Sequence, residues 1–197
     1  MNIKQLNPLH QIASWILVIC VAIVTACSGE GNSSQQVGGA ATEKVKAPQV
    51  DIHTAVVTGN EEALRQHIAA GTDINAKDPF GGSSPLITAA VFGKAGMASI
   101  LIDAGADLNF QNNDGSTALI SAAFFGRPEI VKLLLDAGAD KTIKNKYGAT
   151  AYESVITPFS EAKGTYDMLG KALAPMGLKL DYVQLERARP EIANMLK

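Results

Sequence analysis

The sequence predicts an all-α solenoid of helix-turn-helix units joined by β-hairpin loops, with about four repeats and a helical C-terminal cap. Glycine and aspartate recur at intervals of 33 or 34 residues, and a constant interval of this length is typical of repeat proteins. The recurring residues are Gly59, Gly93 and Gly126, then Gly71, Gly105 and Gly138, and then Asp73, Asp107 and Asp140. Since one such unit cannot bury its apolar face alone, neighbouring units are expected to stack and share a core.

Each unit carries start and stop signals for two helices. Ser84 is expected to cap the first helix of the second unit, with Pro85 in its first turn. Thr117 and Thr150 occupy the equivalent positions, and Thr150 with Glu153 fits a capping box. A glycine ends each first helix, because it adopts positive φ without strain. A second helix follows, and an extended hairpin then leads to the next cap.

These units resemble the ankyrin repeat. Its Thr-Pro-Leu-His opening is approximated by Ser-Pro-Leu-Ile at residues 84–87, and its Gly-Ala-Asp follows the second helix at residues 105–107. The opening histidine is present only as His53, for which a structural role is expected. The resemblance covers residues 51–156 and implies a scaffold that binds protein partners rather than an enzyme.

The two ends of the array are predicted to differ from its middle. In the first unit Gln66 and His67 replace apolar pairs of the later units, so His67 is expected on a polar outer face. The pattern drifts in the fourth unit, and residues 157–197 are predicted to form an irregular helical C-terminal cap. Within this cap, residues 189–192 repeat the Arg-Pro-Glu-Ile sequence of residues 127–130.

The N-terminal segment resembles a bacterial lipoprotein precursor. An apolar run over residues 12–26 is shorter than the about 20 residues that span a bilayer, and it fits a signal peptide. The run ends in Val-Thr-Ala-Cys-Ser at residues 24–28, which is similar to the lipobox. An ordinary secretory signal or a membrane anchor with a chance cysteine is the alternative. The sequence therefore predicts a signal peptide over 1–26, lipidation of Cys27, and a flexible linker over 27–50.

Composition and motifs argue against catalysis. The net charge is −2 and the basic residues are scattered, which does not favour nucleic acid binding. Beyond the signal peptide the chain has one cysteine and two histidines, too few for a zinc site, and it has no Gly-rich phosphate loop. The sequence predicts no catalytic, cofactor-binding or metal-binding residues and no small-molecule substrate.

The resemblance instead implies partner-binding residues at the hairpin tips and at the two positions before the glycine that ends each first helix. At the tips these are Phe80, Ser83, Asn113, Asp114, Ser116, Lys146 and Tyr147, and before the glycines they are Val91, Phe92, Phe124 and Phe125. Phe92 and Phe125 are 33 residues apart, so stacking aligns them on one face. Packing of the phenylalanine rings against neighbouring helices is the alternative, and it remains open at this stage.

These expectations combine into a non-catalytic protein-protein interaction module, tethered by lipid to a bacterial membrane. It would face the periplasm, and Ser28 after the cysteine resembles cargo sent to the outer membrane. The expected partner is a secreted or periplasmic protein. A narrower alternative is an immunity lipoprotein that neutralises a toxic enzyme directed at the cell envelope.

Overall fold

The computed structural model describes residues 45–197, and in these residues the chain is helical and contains no strand. The predicted signal peptide, Cys27 and most of the predicted linker lie outside the described residues. The helices are α1 (Ile52–Thr58), α2 (Glu61–Ala69), α3 (Pro85–Phe92), α4 (Ala95–Asp103), α5 (Ala118–Phe124), α6 (Pro128–Asp136), α7 (Ala151–Ile156), α8 (Phe159–Leu173), a 3-10 turn (Ala174–Met176) and α9 (Tyr182–Leu196). None of these helices combines the length and the hydropathy that a membrane crossing requires.

Capping side chains, three of which the sequence predicts, set where the first helix of each unit begins. In each case the cap side chain accepts a hydrogen bond from the backbone N–H three residues further on, which satisfies a donor that the helix leaves free. The caps are Asp51, Ser84, Thr117 and Thr150. Thr150 and Glu153 form the predicted capping box. Gly93 ends α3 with a φ of 67°, as its position predicts.

The helices form two layers with the core between them. The first helices α1, α3, α5 and α7 pack in sequence, and the second helices α2, α4 and α6 pack beside them in the same order. Leu86 and Leu119, one repeat apart, are both fully buried, and so are Leu101 and Leu134 in the second layer. The hydrophobic core is therefore continuous from one repeat to the next.

The loops between units are tight turns rather than the extended hairpins that the sequence predicts. In the second loop the N–H of Asn112 donates to the carbonyl oxygen of Ser116 at 3.1 Å. The Asn112 side chain also accepts hydrogen bonds from the N–H groups of Asp114 and Ser116. Because this side chain satisfies the turn amides, the loop needs no paired strands to hold it.

His67 corrects the prediction for the first unit. Its side chain is only 5% exposed, and its Nε2 atom lies 2.7 Å from the carbonyl oxygen of Val50. The other ring nitrogen lies 3.1 Å from the hydroxyl of Thr72. The expectation of His67 on the outer face was wrong, because the chain that precedes α1 covers the ring and supplies its hydrogen-bond partner.

The C-terminal region contains the second helix of a fourth repeat, delayed by an insertion. Helix α9 packs against α7 and α6, where a second helix of the fourth unit belongs. Pro190 inside α9 corresponds to Pro128 at the start of α6. The two prolines are 62 residues apart, whereas one repeat spans 33 residues. The matching buried side chains are Ile130 with Ile192 and Leu134 with Leu196. We call residues 157–189 the insertion; it comprises α8, the 3-10 turn and the first half of α9.

Candidate partner-binding surface

The loop tips of three successive units form one continuous row, which we call the tip edge. The N–H of Asn113 donates to the carbonyl oxygen of Gly81 at 2.9 Å, and the N–H of Lys146 donates to that of Asp114 at 2.9 Å. Each tip is thus hydrogen-bonded to the tip before it. The predicted residues that the structure brings together here are Phe80, Ser83, Asn113, Asp114, Ser116, Lys146 and Tyr147.

Two aromatic side chains stand out on the tip edge by their exposure. The side chain of Phe80 is 86% exposed and that of Tyr147 is 80% exposed. Between them, Asn113, Asp114 and Lys146 are exposed polar residues of mixed charge. Large apolar side chains that face water are unfavourable unless a partner covers them, so this row has the composition of a recognition surface.

The tips are held firmly by the residues at their base. The carboxylate of Asp78 accepts hydrogen bonds from the N–H groups of Phe80, Gly81 and Ser83 at 2.6–2.8 Å. Partial burial acts to raise the pKa of this carboxyl, but the hydrogen bonds outweigh it and lower the pKa below its usual value. In the next tip the side-chain amide oxygen of Asn112 accepts the equivalent hydrogen bonds, from the N–H groups of Asp114 and Ser116. The backbone under Phe80 is therefore fixed by an ionised side chain.

The second group of predicted residues lies under the chain's own C-terminal region. Phe125 is only 7% exposed, and its ring packs edge-on against Phe124 with the ring centroids 5.2 Å apart. Phe124 is half-buried and stacks on Tyr166 of the insertion at 4.4 Å. Val91 and Phe92 are also half-buried. Phe124 and Phe125 therefore pack against the chain's own residues, which is the alternative that the sequence left open, and their contact with a partner stays a prediction.

A buried hydrogen-bond network attaches the insertion to the third repeat. The hydroxyl of Tyr166 donates to the carbonyl oxygen of Phe124 at 2.7 Å and accepts from Nη1 of Arg189 at 2.8 Å. Arg189 is buried and also donates to the carbonyl oxygen of Thr157. Burial raises the pKa of the Tyr166 hydroxyl, and the positive charge of Arg189 partly opposes this. Sequence reasoning missed both residues, although the repeated Arg-Pro-Glu-Ile marks the position of Arg189.

His53 has the structural role that its place in the repeat predicts. One ring nitrogen lies 3.1 Å from the hydroxyl of Thr88 and the other lies 3.0 Å from the carbonyl oxygen of Ala76. Both nitrogens are therefore engaged in joining the first repeat to the second. Within residues 45–197, no three side chains of the metal-ligating kinds come together as a cluster.

Comparison with known proteins agrees with this architecture. Residues 52–145 match the model of a family described as ankyrin repeats (3 copies). Among solved structures, the chain is similar to the crystal structure of the ankyrin repeat domain of Bcl-3, described as a unique member of the IkappaB protein family. The two are 36% identical with a TM-score of 0.51, and the match covers 52% of this chain and 45% of that chain. No curated protein matches the sequence.

These findings define the fold class of the described residues. Residues 52–145 match the ankyrin-repeat family, and the described residues form a helical solenoid of the ankyrin-repeat kind. Ankyrin repeats are protein-protein interaction modules, which present an extended surface built from successive units. The tip edge is an exposed part of the surface of the described chain.

Proposed function

We propose that this protein is a non-catalytic interaction module, held by lipid at a bacterial membrane, that binds a secreted or periplasmic protein through its tip edge. The observation that carries the proposal is the exposure of Phe80 and Tyr147 on a row of hydrogen-bonded tips. Aromatic side chains contribute much of the binding free energy at interfaces when a partner removes them from water. The exposed Asp114 and Lys146 between them offer charged contacts that select the partner.

The anchor part of the proposal is supported by the sequence. Residues 24–28 resemble a lipobox, and Cys27 is the only cysteine that remains after the predicted cleavage. A linker of about 23 residues has a root-mean-square reach of roughly 25–30 Å, which holds the repeats clear of lipid headgroups. Stable attachment needs more than one acyl chain, and the lipoprotein modification provides this.

The proposal is tested by capture of the partner from the native envelope with tip variants. Phe80→Ala and Tyr147→Ala should each weaken capture by about 2 kcal/mol or more, roughly 30-fold in affinity. Neither should change thermal unfolding appreciably, because the side chains contact solvent. Val183→Ala is the matched control, since Val183 is 79% exposed on α9 and away from the tips.

The results separate the alternatives. Capture that is unchanged by both tip variants would contradict the proposed surface. A captured partner that is a toxic, envelope-directed enzyme would give the module the narrower role of an immunity protein. Loss of capture with Val183→Ala as well would indicate a general effect on folding instead of a contact at the tips.

A further inference from the structure

A cavity of about 390 Å³ lies between the repeats and the insertion. One wall is made by Phe92, Lys94 and Arg127, which lie at the junctions between the first and second helices of their units. The opposite wall is the segment 176–179 of the insertion, which begins at the last residue of the 3-10 turn. Leu178 is 5% exposed and anchors this wall against the body of the protein.

Among the residues that the structure describes, three cationic side chains and no acidic one line the cavity. Lys94, Arg127 and Lys179 all contribute to its surface. None of the three takes part in the ion pairs found among residues 45–197. Like charges held around one space repel each other, and an anion between them removes that repulsion.

Arg127 makes few hydrogen bonds within residues 45–197. Its Nε atom is buried and has no hydrogen-bond partner among these residues, and its Nη2 atom donates only a long hydrogen bond of 3.4 Å to the carbonyl oxygen of Val91. The guanidinium lies directly on the backbone of Gly93, where a Cβ atom would come within 2.9 Å of Nε. Burial lowers the pKa of this guanidinium, but arginine remains charged in proteins. Arg127 lines the cavity and takes part in no ion pair among the described residues, so an anion in the cavity would give its guanidinium a charged partner.

We propose that this cavity binds a small phosphate monoester that carries an apolar or aromatic group. A phosphate monoester carries close to two negative charges at neutral pH and three acceptor oxygens, which suits three surrounding cations. The apolar part would lie against Phe92, Met176 and Leu178, which line the same space. A volume of about 390 Å³ lies within the range of small-molecule sites. The compound is a ligand of the scaffold, and its binding does not depend on the tip edge.

Titration calorimetry of the full-length protein with phenyl phosphate tests the proposal. We expect saturable binding to one site at submillimolar to millimolar concentration, weaker binding of inorganic phosphate, and no binding of phenol. Lys94→Gln and Lys179→Gln should each weaken phenyl phosphate binding at least about fivefold. Lys141→Gln is the control for net charge, since Lys141 is exposed in a turn that does not line the cavity.

Arg127→Gln should abolish binding. Because this half-buried side chain also packs on the backbone at Gly93, a change in the fold would be a second cause of lost binding in this variant. Lys179 is exposed, so Lys179→Gln provides a variant whose fold should be unchanged. Failure of phenyl phosphate to bind at millimolar concentration would overturn the proposal. Binding that is equally strong in Lys94→Gln, Lys179→Gln and the control would overturn it as well.

Discussion

Replacing Tyr166 with phenylalanine removes a single oxygen atom from the contact between the insertion and the third repeat. That hydroxyl donates to the Phe124 carbonyl oxygen and accepts from Arg189 Nη1. Tyr166 is 0% exposed and Arg189 is 4% exposed, so water cannot readily take the place of the hydroxyl. The variant therefore leaves the carbonyl of the half-buried Phe124 and a buried charged N–H of Arg189 each short of one partner.

The size of the effect follows from these two groups. A buried polar group that loses its partner costs about 1–3 kcal/mol, and the cost is greater when the group is charged. The ring of the variant still stacks on Phe124, and Arg189 keeps its hydrogen bond to Thr157, so the packing contribution is retained. We expect Tyr166→Phe to lower the free energy of unfolding by about 2–4 kcal/mol. Arg189→Met removes the same hydrogen bond, so the two losses should not add in the double variant.

Urea unfolding followed by circular dichroism measures this loss. Tyr182→Phe is the matched control, because its hydroxyl donates to Asp167 at 2.8 Å in the same insertion but in contact with solvent. The control should lose less stability, since water can replace the hydrogen bond. Equal urea midpoints for Tyr166→Phe and the unmodified protein would refute the assignment of a buried anchor.

Four other perturbations follow from the sequence and the structure. Cys27→Ser should leave the precursor uncleaved at this site and without label from a fatty-acid analogue; labelling equal to that of the unmodified protein would exclude Cys27 as the lipid site. Phe125→Ala should cost about 3–5 kcal/mol of stability because the ring is buried, whereas Phe80→Ala should leave the melting temperature nearly unchanged. Folding lowers the pKa of Asp78, so its carboxylate stabilises the fold above the unfolded pKa of about 4, and this contribution is lost as the pH falls through the folded pKa. Thermal melts at pH 7 and pH 3 should therefore show a smaller difference for Asp78→Asn than for the unmodified protein. Deletion of residues 157–197 should expose the apolar end of the stack and cause aggregation, which light scattering would detect.

The parts of the fold that the sequence predicts are those that depend on neighbouring residues. Ser84, Thr117 and Thr150 act as helix caps because a cap needs only a backbone N–H three residues away. The repeat interval locates the core, since Leu86 and Leu119 recur with it. The sequence also predicts where the loop tips lie, because the turn residues recur at the same interval.

The parts of the fold that the sequence does not predict depend on contacts between residues that are distant in the sequence. His67 is polar, and its burial follows from a carbonyl group 17 residues earlier that composition does not reveal. The insertion has no repeat pattern, so nothing in its sequence predicts that Tyr166 would stack on Phe124. The Arg-Pro-Glu-Ile at residues 189–192 is a local sign of the second helix of the fourth repeat, and only the packing of α9 shows that it has this role.

The most direct measurement of the central claim is photocrosslinking from the tip edge in living cells. A photoreactive amino acid at position 147 or 80 should give a discrete crosslinked product with a partner protein, because both positions are exposed on the tip edge. The same amino acid at position 183, which is equally exposed on α9, should not give this product. A product that forms from position 183 and from neither tip position would contradict the account.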